Sequence, residues 1–474
     1  MMIEPDTYFF SPQEALRVAA EQNRSDDLLQ YELQVCYYDG EKIDSDLVNL
    51  IHLPIDKLLD KLSTGTKRIP THINFVGLDI SLEVANEIEN NLLQTFRQAR
   101  GLRRKLNEAY VDGARLLQIN FDEPLRFYLK ANSRTRVMQF VTKDIVEELE
   151  RKGYEVHFEL LQGIEDIHNI KSFYEFNPHI VISLNHFDNM YLSPDVFHFA
   201  WFQDPMPIVT NEAPIFHRKR DYIFTYQTFV KNNLLKKGIP KDKIFEQKVI
   251  PANTASFYLN DNINKENKVV FVGSFYQNQY TNYIDEGIEK KIYQLLQEGK
   301  SLNIENLEGI FTSFLTSLPD SDLLINYIQQ AFIRNISVEW LCESYENVEI
   351  YGYGWEDNTT VKPYFKGKAE KNELNHLYNS AKYVLAASGN VINTQRLGEI
   401  VHAGAIPLIY DSRDITDEDE TWDDECLYFK TQDELRYILE NNIEPKKYRT
   451  EKMLDYFTYK SFLNTIFTTV KENR

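Results

Sequence analysis

Gln395, Arg396 and Glu399 stand together in NTQRLGEIVHAGAIPLIYD, residues 393–411. Leu397, Ile400 and Val401 mark the inner face of a short helix that begins near Thr394 and stops at Gly404, and AIPLI reads as the buried strand after it. A carboxylate one turn into a helix can accept hydrogen bonds from two neighbouring sugar hydroxyls, because a charged acceptor has lone pairs for both. Arg396 beside it offers a planar fork that fits a diphosphate. An Arg and a Glu that merely cap a helix beside a sheet have the same spacing, so both readings stay open.

In VVFVGSFYQNQ, residues 269–279, four apolar residues run into Gly273, where the chain turns without a β-carbon in the way of a ligand. Backbone amides of that turn and the Ser274 hydroxyl can meet a phosphate or sugar oxygen, although a plain structural turn looks alike. Asp204 in WFQDPMP follows a strand-like run and precedes Pro205, which displays its carboxylate at a sheet edge. His186 in SLNHFD holds the equivalent place after HIVISLN, with Asp188 two residues on. Either side chain can take a proton from a hydroxyl, and either can instead cap the following element. His198, inside FHFAWF, reads as a core histidine, and Asn132, Ser133, Arg134 and Thr135 as a polar loop after LRFYLKA. The acid run DSRDITDEDETWDDE, 411–425, lacks the Gly and terminal Glu of an EF-hand loop, and Asp417 and Asp419 do not follow a strand. It reads as a solvated loop with no metal site. Gly352 and Gly354 in YGYGW lack the third glycine of a dinucleotide fingerprint.

Several elements must position these residues. From Ser11 to about Ala109, EALRVAAEQN, DLVNLIHLPIDKLLDKL and LEVANEIENNLLQTFRQARGLRRKLNEAY space their apolar residues at three and four, which predicts a helical accessory region over 1–112. Over 113–260, RLLQINF, LRFYLKA, YEVHFE, HIVISLN, FHFAWFQ and YIFTY read as strands, and Val137, Val141, Ile145 and Leu149 as a helix face ending at Gly153. Strands alternating with helices predict a parallel sheet covered on both faces. The polar stretch DNINKENK, 261–268, reads as a linker to a second such unit over 261–452, followed by MLDYFTYKSFLNTIFTTV within a C-terminal helix, 453–474, that packs back on the first α/β unit. Two successive α/β units present a cleft between their strand carboxyl ends, where such sheets take ligands.

Composition agrees with a globular chain. Its 474 residues allow about three folding units, and 29 Phe with 29 Tyr exclude a solvated, disordered polymer. Three distant cysteines give neither a disulfide framework nor a zinc site. With no long apolar run and no basic-then-apolar start, the chain reads as soluble and cytoplasmic. Its 72 acidic against 52 basic residues, a formal charge of −20, disfavour nucleic acid as the main ligand. Any phosphate must be held locally.

The order FVGS, IYGYGW, FKGKAEKNELNHLYNSAKYVLAAS, NTQRLGEIVHAGAIPLI resembles the nucleotide-sugar half of bacterial GT-B glycosyltransferases of the group 1 type, most of all the spore-maturation-type (CgeB-like) enzymes. The resemblance covers about residues 268–430 well and 115–257 more loosely; the first hundred lie outside it. It implies an α/β protein of GT-B architecture, two facing Rossmann-like domains with a helical N-terminal extension. The implied activity is that of a hexosyltransferase that needs no metal or cofactor, moving a sugar from a nucleoside-diphosphate sugar, most readily a UDP-sugar, to a hydroxyl of a glycan or protein in the interdomain cleft. Carried onto this chain, Glu399 accepts the ribose hydroxyls, and Gly273 and Ser274 approach the diphosphate. Gly367, Lys368 and Ala369 border the base. Asn393, Thr394, Gln395 and Arg396 lie under the diphosphate, where helix-end amides favour anions. On the acceptor side Asp204 or His186 is the base. Many retaining relatives carry a second glutamate eight positions before the ribose one; here that position is Val391, which leaves the stereochemical outcome open. Rival readings are an epimerase or phosphorylase of the same fold, or a non-catalytic nucleotide-sugar-binding or scaffold module of a glycosylation assembly, with the front region as its protein-docking surface.

Overall fold

The computed structural model of the chain describes residues 6–474 apart from 24–32, 48, 65–67, 77–78, 133–135, 162–166, 205, 226, 248, 277–281, 312–320, 370, 390 and 417. It divides into two compact units, Met1–Glu246 with Thr469–Arg474, and Gln247–Thr468.

The front of the first unit is not helical throughout, as its spacing predicts. Strands β1 (Thr7–Phe9), β2 (Cys36–Tyr38), β3 (Leu50–His52) and β4 (His72–Asn74) form a parallel sheet in the order β3-β2-β1-β4. Each strand has three residues, too few for an alternating pattern to show in sequence. DLVNLIHLPIDKLLDKL breaks at Pro54: LIH before it is β3, and α-helix begins only at Leu58–Thr64. A proline pushes the residue before it out of the helical region. The long helix Leu82–Arg115 does form, capped by the Ser81 hydroxyl, which accepts from the Val84 amide at 3.3 Å. It buries Leu92, Phe96 and Ala99 in one cluster with Tyr8, Tyr37 and Leu62.

The same unit carries β5 (Arg126–Asn132), β6 (Glu155–Leu161), β7 (Ile180–Leu184), β8 (Phe197–Phe202), β9 (Asp221–Thr225) and β10 (Ile244–Glu246), all parallel, in the order β10-β9-β8-β7-β5-β6. β7 and β8 are buried over their whole length. Strands covered on both faces read as unbroken apolar runs, which is why these were legible. RLLQINF is not a strand: it is the end of the 82–115 helix followed by coil, tied down where the Ser193 hydroxyl donates to the Leu117 carbonyl at 2.6 Å. From β5 the chain goes to β6 on one side and then returns to β7 on the other, so the switch point lies between β5 and β7.

In the second unit β11 (Glu266–Val272), β12 (Val348–Tyr351), β13 (Phe365–Gly367), β14 (Ala381–Leu385), β15 (Ile406–Tyr410) and β16 (Leu427–Phe429) are again all parallel, in the order β13-β12-β11-β14-β15-β16. This is the strand order of a Rossmann sheet, with its switch point between β11 and β14. Val269 and Phe271 face one core with Ile350, Tyr383 and Leu408. Val270 faces the other with Val384, Leu397, Ile400 and Ile409. The end of the polar DNINKENK stretch is already strand: Lys268 is buried in β11 and pairs with Glu349 at 3.2 Å. The C-terminal segment forms two helices, Glu451–Tyr456 and Lys460–Asn473, rather than one.

A buried ion pair sits at the switch point of the first unit. Lys130 on β5 has its Nζ 3.1 Å from Asp188 Oδ1 and donates to the Tyr191 hydroxyl at 3.0 Å. Burial alone would push the Asp188 carboxyl up, but the Lys130 ammonium outweighs it and holds the group below the usual range. Removing one partner strands the other charge in a dry site. Lys130→Met is therefore expected to cost on the order of 3 kcal/mol in a denaturant melt, and Lys130→Met with Asp188→Asn to recover most of that loss.

Candidate active site

The switch point of the second sheet lies at the carboxyl ends of β11 and β14, the place where such sheets hold ligands. β11 delivers Gly273 and Ser274 there. The Gly273 amide donates to the Tyr351 carbonyl at 2.8 Å, and its own carbonyl accepts from the Trp355 indole at 2.6 Å. Gly352 has φ +145°, and a β-carbon on it would overlap the Gly273 carbonyl. Its amide donates to the Gly367 carbonyl at 2.9 Å, with Gly367 at φ +101°. Thus the ends of β11, β12 and β13 are joined through three glycines, and Gly352 of YGYGW is spent on this backbone approach. Lys368, next along, is exposed with its Nζ 4.4 Å from the Tyr353 ring centroid, and Ala369 beside it is half-buried.

The helix Gln395–Ala403 reaches the same turn through Arg396. A β-carbon on Gly273 would stand 3.4 Å from Arg396 Nη1, and the guanidinium carbon lies 5.7 Å from the Phe271 ring centroid. Arg396 also bonds to the buried Tyr378 side chain. Burial, and then the Glu399 carboxylate, push the Tyr378 phenol well above its usual range. Arg396 and Glu399 therefore meet around one tyrosine. The helix is held close to its neighbour by Gly398, on which a β-carbon would come within 2.8 Å of Phe457 Cβ.

The loop into this helix is built differently from the expectation that Asn393 and Thr394 face a diphosphate. Thr394 is the N-cap, its hydroxyl accepting from the Leu397 amide at 3.2 Å. Asn393 is buried; its Nδ2 donates to the Glu420 carbonyl at 2.9 Å, and its Oδ1 accepts from the Trp422 indole at 2.6 Å. The Ile392 and Asn393 amides donate to the Glu418 carboxylate at 2.5 and 3.0 Å. Burial pushes the Glu418 carboxyl up, against the pull of those bonds. The acid run is thus more than a solvated loop: Glu418, Glu420 and Trp422 grip the entry to the helix. Among the described residues, no three carboxylate, histidine or cysteine side chains come together as metal ligands. Gln395 and Arg396 remain as first-turn residues whose amides have no acceptor within the helix.

Arg334 was not among the residues singled out in sequence. It lies on the helix Ser321–Ser344 with its guanidinium carbon 4.2 Å from the Tyr276 ring centroid, in the loop after Gly273. Its neighbour Asn335 bonds the Tyr276 backbone twice, at 2.9 and 3.2 Å. Burial, and then the charge of Arg396, bring Arg334 down to about 10. The available signal was that Arg334 is the one basic residue of a 24-residue helix apolar on most of its surface. A cation seldom sits in such a helix without a task.

In the first unit, Asp204 is exposed beyond the end of β8. Asn185, at φ +57° beyond β7, donates to its Oδ2 at 2.7 Å and accepts from the Gln203 and Asp204 amides at 2.8 and 3.2 Å. One asparagine thereby fixes the carboxylate at the sheet edge. His186, next to Asn185, is also exposed. His198 is fully buried, 3.2 Å from the Ser183 hydroxyl and 3.7 Å from Asp221. Ser133, Arg134 and Thr135 lie outside the described residues.

Because a side chain at 352 meets both a left-handed backbone and the Gly273 carbonyl, Gly352→Ala is expected to cost about 2–4 kcal/mol in chemical denaturation. Gly101→Ala is the control. No atom lies within 4 Å of a β-carbon there, and in mid-helix the change should add about 0.5–1 kcal/mol.

Among curated proteins none matches this chain. Of solved structures, it is similar to the Anabaena protein HepE in complex with UDP-glucose, at 9% identity and TM-score 0.42, over 73% of this chain and 100% of that one. It is also similar to AviGT4, a glycosyltransferase involved in avilamycin A biosynthesis, at 12% identity and TM-score 0.41, over 73% and 97%. The lipopolysaccharide outer core galactosyltransferase WaaB is similar at 12% and 0.38, over 73% and 100%. Residues 330–467, the greater part of the second unit, match the family described as glycosyl transferase-like. They include Arg334, Gly352, Gly367, Arg396 and Glu399, and on that match this part of the chain is a glycosyl transferase-like domain.

Proposed function

We propose that this enzyme transfers a sugar from a nucleoside-diphosphate sugar, UDP-linked in the first instance, to a hydroxyl of a glycan or protein. The observation that carries the reading is the grouping, at the β11/β14 switch point, of the Gly273 turn, Arg396 and Glu399. Glu399 accepts the two ribose hydroxyls, a demand that a carboxylate meets and a neutral side chain does not. Arg396 and the first-turn amides of Gln395 and Arg396 hold the diphosphate, with Gly273 and Ser274 allowing its approach. The end of β13, at Gly367, Lys368 and Ala369, borders the base.

As the bond from the sugar carbon to the diphosphate oxygen breaks, that oxygen keeps the electron pair, and the guanidinium and amides stabilise the charge gained. No divalent cation is assigned to this step. The acceptor oxygen forms the new bond to carbon and gives its proton to the Asp204 carboxylate, which Asn185 orients. His186 is the second choice for that proton.

Steady-state kinetics with UDP-sugars test these assignments. Glu399→Ala should weaken donor affinity about 10- to 100-fold, and unchanged donor affinity would remove the ribose contact. Asp204→Asn should lower kcat about 10²- to 10⁴-fold with little change in the donor KM. Turnover at the wild-type rate in that variant, together with its loss in His186→Ala, moves the base to His186. Donor turnover by the parent enzyme should persist in EDTA.

A further inference from the structure

Gln203 follows β8 directly and precedes Asp204. Its side chain is 1% exposed, and neither its Oε1 nor its Nε2 has a hydrogen-bond partner. The polar groups nearest to it are spent on its backbone: the Gln203 amide donates to Asn185 Oδ1 at 2.8 Å, and its carbonyl accepts from Gln227 Nε2 at 3.0 Å. Leaving buried polar atoms unpaired is costly, and a leucine or methionine would fill the same space without that cost. An orphaned amide of this kind calls for a partner from outside the fold. Because the side chain makes no hydrogen bond in the free protein, turning the amide toward the sheet edge breaks none.

The surroundings limit what that partner is. Asn185, Gln203 and Gln227 stand just beyond the ends of three neighbouring strands, β7, β8 and β9. Their bonds join them into one row with Asp204, whose Oδ2 accepts from Asn185 Nδ2 at 2.7 Å. Three neutral carboxamides beside one carboxylate suit hydroxyl groups rather than charged ones. We propose that Gln203 is an acceptor-binding residue whose amide takes a sugar hydroxyl adjacent to the one that reacts, so that the acceptor is a glycan and not a protein side chain. A carboxamide presents a donor and an acceptor side by side, and two neighbouring hydroxyls of a pyranose answer both. A serine or threonine hydroxyl has no second hydroxyl beside it. Asp204 then receives the proton of the attacking hydroxyl, and Gln203 decides which hydroxyl is presented to it. The inference rests on the reading of Asp204 as the acceptor side of a sugar transferase.

The test uses the full chain with a panel of UDP-hexoses, following UDP release. The acceptors are methyl hexopyranosides, their single-deoxy analogues and a peptide rich in serine and threonine. Transfer to a methyl hexopyranoside is expected, and Gln203→Leu should raise its KM about tenfold or more while the donor KM stays within about twofold. One deoxy analogue should lose about as much in the parent and little further in Gln203→Leu, because variant and analogue remove the same bond. Without ligand, Gln203→Leu should melt at the parent's temperature or above it. An amide satisfied by a structural water would instead give a lower melting temperature and no coupling to any hydroxyl. The proposal is overturned by transfer to none of the glycosides, by an unchanged acceptor KM in Gln203→Leu, or by equal deoxy losses in parent and variant. Failure of both Gln203→Leu and Gln203→Met to fold also overturns it, as that outcome assigns Gln203 to packing. The underlying readings fail in different ways. Wild-type turnover in Asp204→Asn removes the base while the coupling at Gln203 persists, and a parent that binds no UDP-hexose removes the sugar-transferase reading and this proposal with it.

Discussion

The backbone of Gly352 lies against the carbonyl of Gly273, and the geometry at the end of β11 follows from that approach. Any side chain at 352 would push β12 away from the turn that β11 makes there. With the two chains in contact, the Gly273 carbonyl is directed to the Trp355 indole, its amide to Tyr351, and the Phe275 amide to Tyr353. The turn then leaves at a fixed angle, carrying Ser274 and Tyr276, and Asn335 can reach the Tyr276 backbone from its own helix. A sterically tight contact between strands thereby sets the turn that Arg396 reaches from one helix and Asn335 from another. The strand order supplies the rest, since in this sheet successive connections run to opposite sides at the β11/β14 boundary, where such sheets take ligands.

Net charge and local charge point in opposite directions. At −20 the chain repels phosphates on the whole. Within the second unit, much of the acid near the site is internally committed. Asp411 and Asp423 bind Arg413, Asp414 binds Lys430, and Glu418 binds backbone amides. What faces the Gly273 turn is guanidinium. A field that is negative at long range and positive over one turn admits an anion only where several donors act at once.

Long, doubly covered strands were legible in sequence because burial on both faces leaves an unbroken apolar run; HIVISLN and FHFAWFQ are β7 and β8 almost residue for residue. The three-residue strands of the front sheet were not, because TYF, CYY, LIH and HIN are shorter than any period that distinguishes strand from helix. RLLQINF misled for a different reason: Leu116 is exposed and Leu117 half-buried at the end of a helix, where the coil is held by Ser193, a tertiary tie that local pattern does not encode. At the site, Arg396 and Glu399 could be placed because a capped helix entering a buried strand has a recognisable order. Arg334 could not, since its partners Tyr276 and Arg396 are 58 and 62 residues away along the chain.

The entry to the 395–403 helix shows how the protein divides anion binding between its parts. A helix N-terminus attracts negative charge through amides that lack internal acceptors. Here the protein supplies one such charge itself: Glu418 occupies the Ile392 and Asn393 amides, and the Thr394 hydroxyl takes Leu397. Those bonds fix the loop, and the elevated carboxyl of Glu418 records the burial that the arrangement demands. The loop is thereby fixed before the helix begins, while the first-turn amides of Gln395 and Arg396 keep no acceptor within the helix. An anion at this end would meet those amides together with the Arg396 guanidinium, which stands at the second position of the same helix.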